Sequence, residues 1–179
     1  MSTESGQANQ YIQFLLTRRS IRRYLDKPVQ RELLLKIIDV ARYAPSAKNL
    51  QPWEYIIVED KNILEKLSKI HVGAKPLEKA SSAIVVVVDK DVSPTSYLVD
   101  GANTVMYLML AAHAYGLGTV WIQTLRNIDE IREILDIPEN KIPVAIIAIG
   151  WPAEKPSPKP RKPLEELVHI NKYGNRLTK

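Results

Sequence analysis

The chain has 179 residues, a formal net charge of +5, 45% hydrophobic and 25% charged residues, and no cysteine. This length suits one domain, and the absence of cysteine excludes disulfide bonds, thiolate metal ligands and a cysteine nucleophile. The polar N-terminus and the lack of any apolar run of about 18 residues predict neither a secretion signal nor a membrane span, which fits a cytoplasmic protein.

Hydrophobic periodicity predicts helices that alternate with buried strands. The helices are expected at residues 10–17, 30–43, 61–70, 96–115 and 128–136, and the strands at 54–59, 83–89, 119–123 and 143–150. Segment 71–82 is predicted as a loop, and segment 164–169 as a strand or a short helix. Because helices and strands alternate around one expected sheet, the fold class is predicted as α+β, with an α/β-like order of elements.

The helix at 96–115 is apolar on nearly all sides, so it is expected to be buried in the core or against another subunit. Gly116 is placed to supply its left-handed cap, and this interpretation is favoured over a ligand contact for the segment 116–119. The predicted organisation is a flexible N-terminus at 1–9, a single domain at 10–150 and a proline-rich arm at 151–179. The arm has no apolar periodicity, so it must lie on this subunit or on a neighbour.

Positive charge is concentrated in two places, with four arginines in residues 18–23 and four cations in residues 155–162. Two separated spots are too localised for a long nucleic-acid surface and suit one or a few phosphates better. A nucleic-acid-binding module is nevertheless kept as a competing hypothesis.

Two polar segments carry the candidate binding chemistry. The first offers guanidinium and hydroxyl donors that match phosphate oxygens; its residues are Arg18, Arg19, Ser20 and Arg22. The alternative for it is a solvated basic helix end, favoured by the helix dipole. The second segment offers a hydroxyl, side-chain amides and a cation that match the uracil-like edge of a flavin ring; its residues are Pro45, Ser46, Lys48, Asn49 and Gln51. The alternative for it is an ordinary polar turn.

Lys159 and Arg161 stand two residues apart in an extended arm, so they project to one side and suit a phosphate as well as solvent.

Other site chemistries find little support in the sequence. The three histidines lack metal-ligand spacing, no metal site is predicted, and neither a dinucleotide-binding fingerprint nor a serine nucleophile elbow occurs.

Four segments together resemble the nitroreductase family of FMN-dependent oxidoreductases. They are RRSIRRY at 18–24, ARYAPSAKNLQPW at 41–53, GLGTVWI at 116–122 and GWPAEKP with KPRKPLEE within 150–166. The resemblance implies a central mixed sheet of four or five strands flanked by helices. It also implies a homodimer that binds FMN at its interface, with the helix at 96–115 in the seam and the C-terminal arm crossing to the partner.

The resemblance also implies roles for individual residues. Arg18, Ser20 and Arg22 would meet the phosphate, the ribityl chain and the pyrimidine end of the ring, and Lys159 and Arg161 would close on the phosphate. The loop of Pro45, Ser46, Asn49 and Gln51 would come from the other subunit, and Ile122, Gln123 and Thr124 would line the ring. Arg22 or Lys48 would stabilise the reduced flavin anion.

The implied reaction is ping-pong transfer of hydride from NAD(P)H, through flavin N5, to a small-molecule acceptor such as a nitroaromatic or a quinone. No protein side chain is predicted to be catalytic, because the cofactor carries the chemistry. Two alternatives stay open: an FMN-binding protein without turnover, and a specialised member of the family such as a dehalogenase or an enzyme of cofactor metabolism. Lys48 and Trp151 depart from the family's common residues, which leaves the acceptor undefined.

Overall fold

The computed structural model describes residues 2–177, which form a four-stranded sheet with helices on both faces. The helices are α1 (Ser2–Thr17), α2 (Arg31–Ala41), α3 (Lys61–Ser68), α4 (Tyr97–Ala114), α5 (Ile128–Leu135) and α6 (Leu164–Leu167). The strands are β1 (Trp53–Val58), β2 (Ser82–Asp89), β3 (Gly118–Gln123) and β4 (Lys141–Gly150). The predicted α+β class is confirmed, and each predicted helix and strand is present.

The sheet has the order β1-β2-β4-β3, and each of its three strand pairs is antiparallel. The sheet expected to be mixed is therefore antiparallel, and the one parallel bridge found within residues 2–177 joins Thr119 to Ser20, which lies outside the four strands. Strand β4 tolerates Pro143 in its interior because the register with β2 shifts between Val86 and Val87. A proline inside a central strand is accommodated at such an irregularity.

Both faces of the sheet are covered, which explains why β2 and β4 are apolar along their lengths. Helices α2 and α4 pack on one face, where Leu34, Ile37 and Leu108 are fully buried. Helices α3 and α5 pack on the other, where Leu64 and Ile131 are 1% and 0% exposed.

Helix α4 buries only one of its sides within the chain. Val105, Leu108 and Ala112 are fully buried against the sheet, whereas Val99 is 63% exposed and Tyr107 is 40% exposed. The prediction that this helix is buried all round is therefore met on one side only, and its other apolar side lies open.

Two local predictions need correction, and one alternative that was left open is decided. Residues 2–9, expected to be a flexible N-terminus, are helical and extend α1. These residues are polar and form no apolar stripe, so hydrophobic periodicity could not predict this part of the helix. The segment 71–82, expected to be a loop, contains a 3₁₀ helix at Val72–Lys79 that begins where the His71 ring accepts a hydrogen bond from Gly73 N–H. The segment 164–169, left open between strand and helix, is helical at Leu164–Leu167.

Candidate functional site

The arginine-rich segment lies along the start of β3 and is fixed there by close packing. Ile21 N–H donates to the Thr119 carbonyl at 2.9 Å. A Cβ at Gly118 would stand 2.7 Å from Cγ2 of Ile21, so glycine is needed for this approach. Gly116, at φ +75°, ends α4, and Leu117 N–H donates to Ala112 O in the 6→1 bond of a Schellman motif. The preference for a cap over a ligand contact in this segment is supported.

The chain that leaves β4 holds the same segment from its other side. Ala153 N–H donates to Arg23 O at 2.9 Å. The Glu154 carboxylate accepts from the backbone N–H groups of Arg22 at 2.6 Å and Arg23 at 3.1 Å, and these bonds lower the pKa of Glu154. Sequence reasoning missed Glu154, since a lone acidic residue in a basic arm gives no signal of a backbone partner.

The arginine segment and the C-terminal arm together enclose a small cationic pocket of about 160 Å³. The pocket is lined by Arg18, Arg19, Ser20, Arg22, Pro156, Ser157, Lys159 and Arg161. The structure thus brings together six residues that the sequence nominated from two distant segments. Their convergence favours an anion site over a solvated helix end.

Arg18 is the unusual member of this pocket. Its Nη1 atom is buried and has no hydrogen-bond partner within residues 2–177. Burial lowers the pKa of Arg18, and the charges of Arg19 and Arg161 lower it further. A buried donor without a partner, surrounded by like charges, is what a bound anion would satisfy. These residues therefore fit a phosphate group.

Arg19 has a different role from Arg18. Its Nη1 atom donates to Leu16 O at 2.6 Å and to Arg18 O at 2.8 Å, so its guanidinium caps the last carbonyls of α1. The helix-end interpretation therefore holds for Arg19.

A larger cleft of about 470 Å³ adjoins the pocket at the C-terminal end of α4. His113 lines it, stacks on Phe14 at 5.0 Å between ring centroids, and has Nε2 3.2 Å from Thr17 Oγ1. Burial lowers the pKa of His113, as do the charges of Arg18 and Arg19. His113 thus joins α1 to α4, and among residues 2–177 it belongs to no group of side chains arranged to hold a metal ion.

The predicted ring-contact loop, residues 45–51, has a strained backbone. Lys48, Asn49 and Gln51 have φ angles of +50°, +58° and +47°, a region that side chains other than glycine rarely occupy. Within the loop, Ser46 Oγ accepts from Gln51 N–H at 2.9 Å. Such outliers cluster at binding sites, so the strain favours a functional loop over an ordinary polar turn.

A single chain does not bring this loop to the cationic pocket. The loop is attached near the start of α4, where Ala47 N–H donates to Asp100 at 2.9 Å. The pocket shares Arg18 and Arg19 with the larger cleft, which is lined by His113. His113 is thirteen residues beyond Asp100 along the same helix, which corresponds to about 20 Å. The two halves of the predicted site therefore stand at opposite ends of α4.

The third predicted group lies at the far end of β3. Ile122 and Thr124 are 1% and 0% exposed, and Thr124 Oγ1 donates to Pro143 O at 2.5 Å. Gln123 is exposed, and its carbonyl oxygen is 2.8 Å from His71 Nε2. Contact with a ring through the side chains of Ile122 and Thr124 is excluded by their burial, so this segment can line a ligand only through its backbone and Gln123.

Within residues 2–177, no group of three or more histidine or carboxylate side chains is arranged to hold a metal ion. None of the helices in this described part of the chain combines the length and apolarity that crossing a membrane requires.

Comparison with known proteins finds a matching family model and similar proteins. The family model described as "Nitroreductase family" matches residues 15–108 and 80–151. The oxygen-insensitive NADPH nitroreductase of Salmonella typhimurium is 33% identical, over 90% of this chain and 74% of its own length.

Solved structures with a similar fold include proteins with related names. An FMN-dependent nitroreductase from Clostridium difficile superimposes with a TM-score of 0.82 at 37% identity, over 90% of this chain and 99% of that chain. The NADPH:FMN oxidoreductase of Vibrio harveyi, complexed with NAD⁺, has a TM-score of 0.82 at 28% identity, over 90% and 77% of the two chains.

Proposed function

This chain belongs to the nitroreductase family and is an oxidoreductase, and on that premise we propose that it binds FMN and transfers hydride from NAD(P)H to a small acceptor. Nitroaromatics and quinones are the proposed acceptors, reduced in a ping-pong cycle. The observation that carries the proposal is the buried Nη1 of Arg18, which has no hydrogen-bond partner within residues 2–177 and belongs to a residue that lines a cationic pocket. It marks where the anionic end of the cofactor would bind.

Four residues of the pocket would hold the phosphate and ribityl chain. Arg18 would donate from Nη1, and Ser20 adds a hydroxyl beside it. Lys159 and Arg161 approach from the arm, and both are exposed. Each charge-assisted hydrogen bond of this kind contributes about 1.5–3 kcal/mol, so a few of them account for much of the roughly 8 kcal/mol of micromolar binding.

The loop at 45–51 would hold the flavin ring. Asn49 and Gln51 carry amides that can both donate and accept, which suits the alternating groups of the ring edge. Bound FMN would supply hydride transfer at N5, and the residues of the loop and the pocket would orient the ring and stabilise its charge. Arg22 and Lys48 are the exposed cations that would offset negative charge on the reduced ring.

A homodimer would complete the site. Because the pocket and the loop lie at opposite ends of α4, two copies packed along antiparallel α4 helices would place the loop of one beside the pocket of the other. The open side of α4 offers the apolar surface for this contact. A groove there is lined by Phe14, Val40, Tyr107, Leu110, Ala111 and Ala114. The C-terminal arm and α6, whose Leu164 and Leu167 are exposed, would then pack on the partner.

The test is anaerobic titration of the purified protein. We expect a yellow protein with FMN bound, whose colour bleaches on addition of NADH or NADPH and returns with a nitroaromatic or a quinone. A colourless protein that does not take up added FMN would contradict the proposal. Binding of FMN without steady-state NAD(P)H oxidation would instead establish a flavin-binding protein without turnover.

A further inference from the structure

Asp100, in the first turn of α4, is a buried carboxylate that attaches the helix to the loop at 45–51. It is 2% exposed. Its Oδ1 accepts from Ala47 N–H at 2.9 Å, and its Oδ2 accepts from Ser93 Oγ at 2.8 Å. Both partners are neutral donors, and the two hydrogen bonds orient the backbone at Ala47 and the side chain of Ser93.

The loop needs such an attachment because its backbone is strained. Lys48, Asn49 and Gln51 hold left-handed backbone conformations, which are unfavourable and persist only where the surrounding structure enforces them. The bond from Gln51 N–H to Ser46 Oγ lies within the loop and moves with it. Two further bonds fix the loop to α4 and so to the core. Ala47 N–H donates to Asp100, and Asn103 Nδ2 donates to Pro45 O at 3.0 Å.

Asp100 itself has no access to a ligand. Its two oxygens are occupied by Ala47 and Ser93, and its side chain is enclosed beneath the loop. It therefore acts on whatever the loop binds only through the loop.

We propose that Asp100 is a positioning residue that holds the strained loop in the conformation that presents Ser46, Asn49 and Gln51. The conformational part of this inference stands on the contacts of Asp100 alone. Its consequence for cofactor binding rests on the proposed function, since it requires the loop to contact a flavin.

The first experiment measures the loop without any cofactor. Asp100→Ala removes both acceptors, whereas Asp100→Asn keeps an acceptor for Ala47 N–H and can donate to Ser93 Oγ. In cofactor-free protein we expect amide hydrogen exchange at Ala47 and tryptic cleavage after Lys48 to accelerate at least about tenfold in Asp100→Ala and to stay near wild type in Asp100→Asn. Asp91→Ala, at an exposed aspartate, is the control.

Cleavage at Lys66 and Lys69 in the α3 region reports on global unfolding, so only a selective increase at Lys48 supports the proposal. Should Asp100→Ala fail to fold, Ser93→Ala removes one of the two bonds to the carboxylate and is expected to give a smaller acceleration at Lys48. Unchanged exchange at Ala47 in Asp100→Ala, or equal effects of Asp100→Ala and Asp100→Asn, would overturn it.

The second experiment measures FMN affinity by quenching of flavin fluorescence. We expect Asp100→Ala to weaken FMN binding at least about tenfold and Asp100→Asn to stay within about threefold of wild type. If the loop loosens in Asp100→Ala while wild-type protein binds no FMN, the proposed function fails and the positioning role stands. If FMN affinity falls without loosening of the loop, the positioning role fails instead.

Discussion

At the scale of single residues, Arg18 is in an unfavourable environment that a bound anion would relieve. Partial burial and the neighbouring charges of Arg19 and Arg161 disfavour the charged form of Arg18, and both lower its pKa. A bound anion would supply the missing partner for Nη1 and offset the repulsion. The same side chain is therefore expected to affect stability and ligand affinity in opposite directions.

Arg18→Met tests this opposition. Without cofactor we expect the free energy of unfolding to rise by about 1 kcal/mol, because a buried donor without a partner is removed. FMN affinity should fall about 10- to 100-fold, because a charge-assisted bond to phosphate is lost. Chemical denaturation and fluorescence titration measure the two effects. Lys75→Met, at an exposed cation, should change neither, and a variant of Arg18 that loses both stability and affinity would contradict the argument.

The identities of the candidate binding residues could be predicted from the sequence, but their positions could not. The donor groups of Arg18, Ser20 and Arg22 indicated a phosphate contact, as did the cations Lys159 and Arg161, and the structure shows that these two distant segments line one pocket. Glu154 and Asp100 were missed because each accepts a hydrogen bond from backbone N–H, a donor that every residue except proline supplies. The left-handed φ angles of Lys48 and Asn49 could not be predicted either, since neither residue type requires that conformation.

At the scale of elements, the strands were predictable because burial on both faces leaves continuous apolar runs. The N-terminal part of α1 was not, because its helix is polar and shows no periodicity. The 3₁₀ helix at Val72–Lys79 was hidden for another reason. It contains Pro76 and Gly73, which are typical of loops, and it is organised by tertiary bonds of His71.

Gly118 determines how closely the arginine segment approaches β3. Gly118→Ala should lower the free energy of unfolding by about 1–3 kcal/mol, because the new Cβ would overlap Ile21, whose own Cβ cannot move away. Gly6→Ala is the matched control, as nothing lies within 4 Å of a Cβ there. It should be neutral or stabilise by up to about 1 kcal/mol in helix α1. Equal denaturation midpoints for both variants would refute this account of Gly118.

His113 links α1 to α4 in a way that depends on pH. Its folded-state pKa is lowered from the ordinary value of 6.5, so the unfolded chain binds its proton more readily. The stability that neutral His113 contributes is therefore complete above pH 6.5 and is lost as pH falls below that value. The charges that face it are Arg18 and Arg19 after α1, with Glu154 and Lys155 in the same cleft.

His113→Phe should remove this dependence while keeping the stack on Phe14. We expect the loss of stability between about pH 7.5 and about pH 5 to be smaller in His113→Phe than in wild type. Denaturation at the two pH values measures it, with His169→Phe as a control for a histidine in the C-terminal arm. An equal loss in wild type and His113→Phe would show that His113 does not contribute.

At the scale of the whole molecule, the proposed site is divided into two halves within one chain. The pocket around Arg18 and the loop around Asn49 are separated by the length of α4, so neither can complete the other within a chain. The exposed apolar side of α4 offers the surface on which two copies can meet. Oligomeric assembly and ligand binding are therefore expected to be inseparable in this protein.

Mixed dimers test this division directly. Arg18→Ala and Asn49→Ala homodimers should each bind FMN weakly, because each carries two damaged sites. A dimer of one Arg18→Ala chain and one Asn49→Ala chain would have one doubly altered site and one intact site, so it should bind about one FMN with wild-type affinity, against two in the wild-type dimer. Co-expression with two affinity tags isolates it, and flavin absorbance at saturation gives the stoichiometry. If Arg18 and Asn49 instead served the same site from one chain, both sites of the mixed dimer would be damaged. A mixed dimer that binds no better than the homodimers would therefore place both residues in one subunit and refute the shared site.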